Sequence, residues 1–162
     1  MKHTIAILLE NEFGVLSRVA ALFTMRGYNI ESLSVAPTLD ASISSMTLVT
    51  SGSPEVIEQI IKQLNKLVNV IKVQDVTSEN PINRKLALIK VNLGKRNFTK
   101  LKSILQPFDG KIIDIDERCA IVQAVTEEAA LEQLIEILKP YGIMEYAATG
   151  NLAIQNGKKN RS

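Results

Sequence analysis

The feature that most constrains the fold is the order of apolar patterns along the chain. In about the first 77 of the 162 residues, β-branched, alternating stretches typical of strands are separated by stretches with the apolar spacing of helices. The first helical pattern begins at Val15 and ends before Gly27, and the second begins at the capping sequence Ser53-Pro54-Glu55. The resulting order is β-α-β-β-α-β, which predicts a ferredoxin-like module of the α+β class.

A second module of the same kind is predicted in the other half of the chain. After the polar segment 78–84, which contains a proline, strand and helix patterns return in the same order. We therefore predict two tandem ferredoxin-like modules: residues 1–78, a linker at 79–84, and residues 85–162 with a disordered tail near 155–162. Because a module of this size buries too little surface for more than marginal stability, we expect the chain to form a homodimer.

The composition argues against several classes of partner. The net charge of +2 comes without a basic block, and the aromatic content is only 4%, with no Phe/Tyr pair on a predicted strand. Nucleic-acid binding is therefore not predicted. No apolar run approaches the roughly 18 residues that a membrane span requires. The sequence thus predicts neither a nucleic-acid partner nor a membrane-spanning segment.

The chain carries few candidates for catalysis. His3 is the only histidine, which excludes a histidine-based triad and a multi-histidine metal site. Cys119 is the only cysteine, so no internal disulfide can form, and a reducing compartment is favoured. Its strand-like surroundings favour a half-buried structural thiol over a nucleophile. We predict no catalytic residue, no metal site and no cofactor in this chain.

The stretch ENEFGVLSRV, residues 10–19, joins the first predicted strand to the first predicted helix. The first turn of a helix presents unpaired backbone N–H groups and a partial positive charge, which can bind a small carboxylate without a basic side chain. Gly14 would allow a ligand to approach the backbone closely. Asn11 offers donors and an acceptor to a group that carries an ammonium beside a carboxylate. These properties predict a binding site for a small amino acid.

Asn29 begins the second predicted strand, at the opposite end of the first helix. It can share a ligand with Asn11 only across two copies of the chain, so such a ligand would lie at a dimer interface. Ordinary turn chemistry remains the alternative for these residues. In that interpretation Glu10 and Glu12 complement the helix dipole, and Arg18 lies on a solvated face.

A resemblance to a known family is carried mainly by three segments: LLENEFGVLSRVAALFTMRGYNIESLSVAPT, SSMTLVTSG and IEQIIKQLNKLVNVIKVQDVT. They closely resemble the N-terminal ACT domain of acetolactate synthase (acetohydroxyacid synthase) small subunits. The likeness continues less sharply through RKLALIKV and GKIIDI to the end of the chain. The resemblance implies an ACT domain followed by a second, ACT-like ferredoxin-like domain.

The resemblance implies a regulatory subunit without catalytic activity of its own. The family's partner is a catalytic large subunit that uses thiamine diphosphate, magnesium and FAD. That enzyme condenses two pyruvates, or pyruvate with 2-oxobutyrate, in the synthesis of valine, leucine and isoleucine. The small subunit raises the partner's activity and confers feedback inhibition, usually by valine. We expect the same of this chain, with leucine and isoleucine as alternative effectors.

The resemblance also implies which residues bind the effector. In the family, effectors lie at the dimer interface between the first strand–helix loop of one subunit and the second strand of the other. The matching positions here are Asn11, Gly14 and the backbone at Val15 from one subunit, with Asn29 and Ile30 from its partner. The second domain is expected to help the subunit oligomerise or to contact the catalytic partner.

Three other interpretations stay open. The chain could be a free-standing ACT-domain sensor with another partner, a small-molecule enzyme on a ferredoxin-like scaffold, or a structural dimer module. Co-purification with a thiamine-dependent large subunit, turnover by the chain alone and a lack of amino-acid binding distinguish them. A strand pattern begins almost at once, so we expect no targeting peptide. A bacterial cytoplasmic location is expected, or the plastid stroma for an organelle-encoded chain.

Overall fold

The chain divides into two compact units. A computed structural model describes residues 1–94 and 98–156. The first unit comprises Met1–Ile82 together with the residues from Gly150 onward, and the second comprises Asn83–Thr149. Each unit combines one antiparallel sheet with two helices, which confirms the predicted α+β class and the tandem ferredoxin-like modules.

The first unit follows the predicted order of elements, and its sheet has the strand order β2-β3-β1-β4. The elements are β1 (Lys2–Glu10), α1 (Val15–Arg26), β2 (Ser32–Pro37), β3 (Ile43–Ser51), α2 (Pro54–Leu64) and β4 (Val70–Asp75). Alternate residues of β1 lie in the core with both helices, because successive side chains of a strand point to opposite faces. Phe23 of α1 and Leu64 of α2 are fully buried there.

The ends of the two helices follow the sequence signals, with one difference. Gly27 ends α1 in the left-handed conformation, at φ 69°, and its N–H donates to carbonyls of the last turn. Pro54 begins α2, as predicted. The hydroxyl of Ser53, however, makes no capping hydrogen bond to the helix. It bonds the carboxylate of Glu55 instead, which lowers the pKa of that group.

The second unit repeats the arrangement, with the strand order β6-β7-β5-β8. Its elements are β5 (Ile82–Asn92), α3 (Phe98–Leu105), β6 (Lys111–Ile115), β7 (Cys119–Thr126), α4 (Glu128–Leu138) and β8 (Ile143–Ala148). One face of the sheet is buried with the helices around Ile89 and Val122. The left-handed residue after the first helix is Asp109, at φ 50°, one position before Gly110.

A short second segment of the first unit comes from the end of the described chain, where no strand was predicted. Residues 150–156 include β9 (Leu152–Ile154), and we call them the C-terminal strap. The N–H of Asn151 donates to the hydroxyl of Ser32 on β2 at 2.8 Å. The N–H of Ala153 donates to the hydroxyl of Thr47 on β3 at 3.3 Å. The hydroxyls of Ser32 and Thr47 thus hold the strap against the first sheet. Its assignment to the second domain, residues 85–162, stays a prediction.

The strap requires a glycine at its start. A Cβ built on Gly150 would lie 2.2 Å from the carbonyl oxygen of Leu33, far inside a van der Waals contact. The strap therefore lies directly against the backbone of β2. The tail predicted to be disordered falls mainly on residues 157–162, which lie outside the described residues.

A half-buried carboxylate lies at the other edge of the first sheet. Asp75, at the end of β4, accepts a hydrogen bond from Nδ1 of His3 at 2.9 Å. It also accepts bonds from the backbone N–H and the hydroxyl of Thr77, at 2.9 and 2.5 Å. Partial burial raises the pKa of Asp75, but the bonds from Thr77 and His3 outweigh that effect and hold it below its usual value. The only histidine thus has a structural partner.

We expect Asp75→Asn to lower the free energy of unfolding by about 1–3 kcal/mol at pH 7, because hydrogen bonds to a charged acceptor are lost. A depressed folded-state pKa adds stability above the unfolded pKa of about 4, and that stability is lost as the pH falls through the folded pKa. The difference between the two proteins should therefore shrink below about pH 4. Urea unfolding measures it, and equal stabilities at pH 7 would contradict this role of Asp75.

We expect Gly150→Ala to destabilise the protein by about 1–3 kcal/mol, because the strap must move away from β2 to admit a methyl group. Gly110→Ala is the control, since its Cβ would come no nearer than 3.1 Å to the Leu105 side chain. It should cost clearly less. Urea unfolding of both variants makes the comparison, and equal losses would show that the close approach at Gly150 is easily relieved.

Candidate functional site

The predicted strand-to-helix elbow, residues 11–14, is tied to the hairpin between β2 and β3. The backbone N–H of Asn11 donates to the carbonyl of Ser42 at 2.7 Å. Its side-chain Nδ2 donates to the carbonyl of Ala41 at 2.9 Å. These bonds orient the amide, because its donor side must face the carbonyl. The side-chain oxygen of Asn11 is therefore the group that can accept a hydrogen bond from a ligand.

Gly14 gives the elbow its shape. It precedes α1 with φ 82°, in the left-handed region that favours glycine, and a Cβ there would meet nothing within 4 Å. Among the described residues, no side chain caps α1 and no acidic residue lies in its first turn. The N–H groups of that turn and their partial positive charge are thus not neutralised by a capping carboxylate.

The two residues that flank Gly14 differ in burial. Val15 is buried in the core, so that only its backbone can serve a ligand; its N–H lies 3.4 Å from the carbonyl of Glu12. Phe13 is fully exposed. The elbow therefore combines a firmly packed helix start with a large apolar side chain in solvent.

The second group of predicted site residues, Asn29 and Ile30, lies in the segment that joins α1 to β2; the prediction that Asn29 begins the second strand is wrong, because β2 begins at Ser32. Asn29 is exposed, and its backbone carbonyl accepts a hydrogen bond from the hydroxyl of Thr50 at 2.7 Å. Ile30 is half-buried and packs against the core of the first unit. The backbone of Asn29 is thus held near one end of β3, and the side chain of Ile30 is only partly exposed.

The structure keeps these two groups apart within one chain. Asn11 bonds Ser42 at one end of β3, whereas Asn29 bonds Thr50 at the other. Eight residue steps separate those partners, about 26 Å at about 3.3 Å per residue of strand. A single small amino acid cannot span that distance. The predicted site residues thus form two half-sites at opposite ends of one sheet.

An edge strand of the first sheet lies next to one of these half-sites. In the order β2-β3-β1-β4, β2 is an edge strand whose ladder partner in the described part of the chain is β3. Its outer residues Val35 and Ala36 are exposed. Edge strands with free N–H and C=O groups are the usual place for a second chain to pair.

A cluster beneath the elbow was not predicted from the sequence. Asn69, in the turn before β4, is 7% exposed. Its Nδ2 donates to Glu10 at 2.6 Å and to Glu12 at 3.3 Å, and its Oδ1 accepts a hydrogen bond from Arg18. The carbonyl of Asn69 also accepts the N–H of Glu10 at 2.8 Å. These residues, interpreted from the sequence as dipole complements and a solvated face, are instead joined by one buried amide.

The only cysteine in the sequence, Cys119, lies beside the carboxylate of Asp116. Cys119 is half-buried, and its Sγ lies 3.1 Å from Oδ2 of Asp116. This hydrogen bond, together with burial, raises the pKa of the thiol, whereas a nucleophilic cysteine needs a lowered one. Bonds from the backbone of Arg118 and from Cys119 lower the pKa of Asp116 to about 2. This supports the predicted structural thiol.

Two features are absent from residues 1–94 and 98–156, the part of the chain that the structure describes. These residues contain no group of three or more His, Cys, Asp or Glu side chains arranged to hold a metal ion. No helix within these ranges is both long enough and apolar enough to cross a membrane.

Comparison with known families gives two matches that together cover most of the chain. Residues 5–72 match the family described as "AHAS small subunit-like ACT domain". Residues 84–157 match the family described as "Small subunit of acetolactate synthase". The boundary between the two matches falls close to the predicted linker.

Individual relatives match along nearly their full length. A probable acetolactate synthase small subunit from Archaeoglobus fulgidus is 42% identical, over 98% of this chain and 99% of its own. The acetolactate synthase small subunit of Bacillus subtilis is 41% identical, over 100% and 95%. The crystal structure of the small subunit from Thermotoga maritima superposes with a TM-score of 0.88 at 34% identity, covering 96% and 98% of the two chains.

Proposed function

The chain belongs to the family of acetolactate synthase small subunits, and from this we infer that it activates a catalytic large subunit and makes it sensitive to valine. Thiamine diphosphate, magnesium and FAD would belong to that partner. The observation that carries the effector assignment is the separation of Asn11 and Asn29 at the two ends of β3. A ligand site built from both requires two copies of the chain.

The position of β2 at the edge of the first sheet supports a homodimer through the first domain. If two copies pair their β2 edges, the start of β2 in one copy approaches the elbow of the other. Asn29 and Ile30 of one copy would then face Asn11 and Gly14 of its partner. The site would exist only in the dimer, and occupancy would report directly on how the two copies pack.

The chemistry of the half-sites fits a branched-chain amino acid. The carboxylate would accept hydrogen bonds from the uncapped first turn of α1, where the helix dipole favours negative charge. The ammonium would donate to the side-chain oxygen of Asn11, whose NH₂ group already serves Ala41. The exposed part of Ile30 from the second copy offers an apolar surface to a short aliphatic side chain.

Regulation follows from linkage. An effector that binds one packing of the two copies more tightly than another shifts the population toward that packing. The catalytic subunit attached to the dimer then experiences the same shift. Coupling free energies of about 1–3 kcal/mol are typical of such systems, and they correspond to changes of about 5- to 150-fold in affinity.

The direct test mixes the purified chain with a purified catalytic subunit and measures acetolactate formation. We expect the chain to raise the rate, and valine to lower it in the presence of the chain only. Leucine and isoleucine are tested in parallel to identify the effector. A rate that does not respond to the chain would contradict the proposal.

Gly14→Asp should raise the half-maximal inhibitory valine concentration about tenfold or more, a loss of about 1.4 kcal/mol of binding. The added carboxylate would repel that of the effector, while activation survives. Gly14→Asn is the matched control, because asparagine has nearly the same size and also tolerates positive φ but carries no charge. It should have a clearly smaller effect. An unchanged half-maximal concentration in the aspartate variant would remove Gly14 from the site.

Asn29→Ala should weaken valine binding by about 1–3 kcal/mol, the cost of a lost hydrogen bond to a charged group. Calorimetry on the small subunit measures it. Co-expression with Gly14→Asp then tests the two-copy site, because a mixed dimer contains one site with both substitutions and one with neither. Partial recovery of valine sensitivity is expected. If the mixture stays as insensitive as both parents, the site does not lie across two copies.

A further inference from the structure

The elbow is held from two sides by residues of different loops. On one side, Asn11 bonds the β2–β3 hairpin at Ala41 and Ser42. On the other side, the buried amide of Asn69 bonds Glu10 and Glu12. Asn11 is thus hydrogen-bonded on one side of the elbow, and its neighbours Glu10 and Glu12 on the other. Bonds on both sides leave the elbow backbone little freedom to move.

Asn69 also reaches across the elbow to α1. Its Oδ1 accepts from the guanidinium of Arg18, one turn into the helix. Asn69 therefore contacts the chain both before and after Gly14, although it is some 50 residues away in sequence. Its polarity is defined by these partners, because NH₂ must face the two carboxylates and oxygen must face the guanidinium. An aspartate at this position would have a similar size, but it would place a negative charge against the carboxylates of Glu10 and Glu12.

We propose that Asn69 is the positioning residue of the effector site: it fixes the start of α1 relative to Asn11 so that a single effector can contact both. This inference rests on the proposed function. Asn69 itself is buried and does not touch the ligand. Its contribution comes through Glu10, Glu12 and Arg18, which set the path of the elbow. Replacing Asn69 leaves the ligand-contacting residues unchanged, but it removes the hydrogen bonds that hold them in one geometry.

The test compares full-length wild type with Asn69→Ala by calorimetric titration with valine. We expect about tenfold weaker binding in the variant, the effect of losing the hydrogen bonds that preorganise the site. Asn65→Ala is the matched control: it changes the same residue type in the same α2–β4 region, but the Asn65 side chain bonds the Ile61 carbonyl of its own helix, at 3.0 Å, and not the elbow. Its valine affinity should equal that of wild type.

The outcomes separate the inference from the proposed function. If wild type binds none of valine, leucine or isoleucine, the proposed effector site is wrong. If wild type binds valine and Asn69→Ala binds it equally well despite a lowered Tm, Asn69 serves stability alone and the inference is overturned.

A second pair of variants, Asn69→Asp with and without Glu10→Gln, tests the inference if Asn69→Ala does not fold. Asn69→Asp keeps the size of the side chain and its bond to Arg18, but it places a carboxylate against Glu10 and Glu12. We expect weaker valine binding than in wild type. Adding Glu10→Gln supplies an amide that can donate a hydrogen bond to the carboxylate introduced by Asn69→Asp. The double variant should therefore recover most of the valine affinity. Glu10→Gln alone is the reference. A double variant that binds no better than Asn69→Asp overturns the inference.

Discussion

The antiparallel pairing of β1 with β3 is the constraint on which the rest of the first unit depends. All nine residues of β1 pair in one unbroken register, from Lys2 opposite Ser51 to Glu10 opposite Ile43. This register turns alternate side chains of both strands into the core. It also sets the spacing of the half-sites, because the elbow follows one end of the ladder and Asn29 lies beside the other. The core of the first unit and the separation of Asn11 from Asn29 are therefore consequences of the same pairing.

Much of the fold could be predicted because its signals are local. Helix α1 begins at Val15 and stops at Gly27, as the apolar spacing and the glycine indicate. The predicted strands reappear with small shifts at their ends, since strand boundaries depend on ladder partners elsewhere in the chain. The placement of Asn11 and Asn29 at opposite ends of α1 also followed from the element order. The residue that adopts the left-handed conformation after α3 could not be predicted in this way. It is Asp109, although a glycine, the residue type that favours this conformation, follows at position 110.

The parts that could not be predicted depend on contacts between distant residues. Asn69 stands alone in a turn, and no local pattern indicates that its amide joins Glu10, Glu12 and Arg18. The strap contains only a three-residue strand, too short for an alternation to be recognised. Its glycine is required by the backbone of β2, which lies more than a hundred residues earlier. Such features are defined by the tertiary structure, and the sequence alone gives no sign of them.

The strap has a consequence for how the protein is made. The first unit contains residues from both ends of the described chain, with the second unit inserted between them. During translation, β1 to β4 leave the ribosome well before residues 150–156 are synthesised. The sheet surface around Ser32 and Thr47 therefore lacks the strap until the entire second unit has been synthesised. A nascent chain that stops before residue 150 therefore lacks the strap, and the first unit is completed only after the whole second unit has been synthesised.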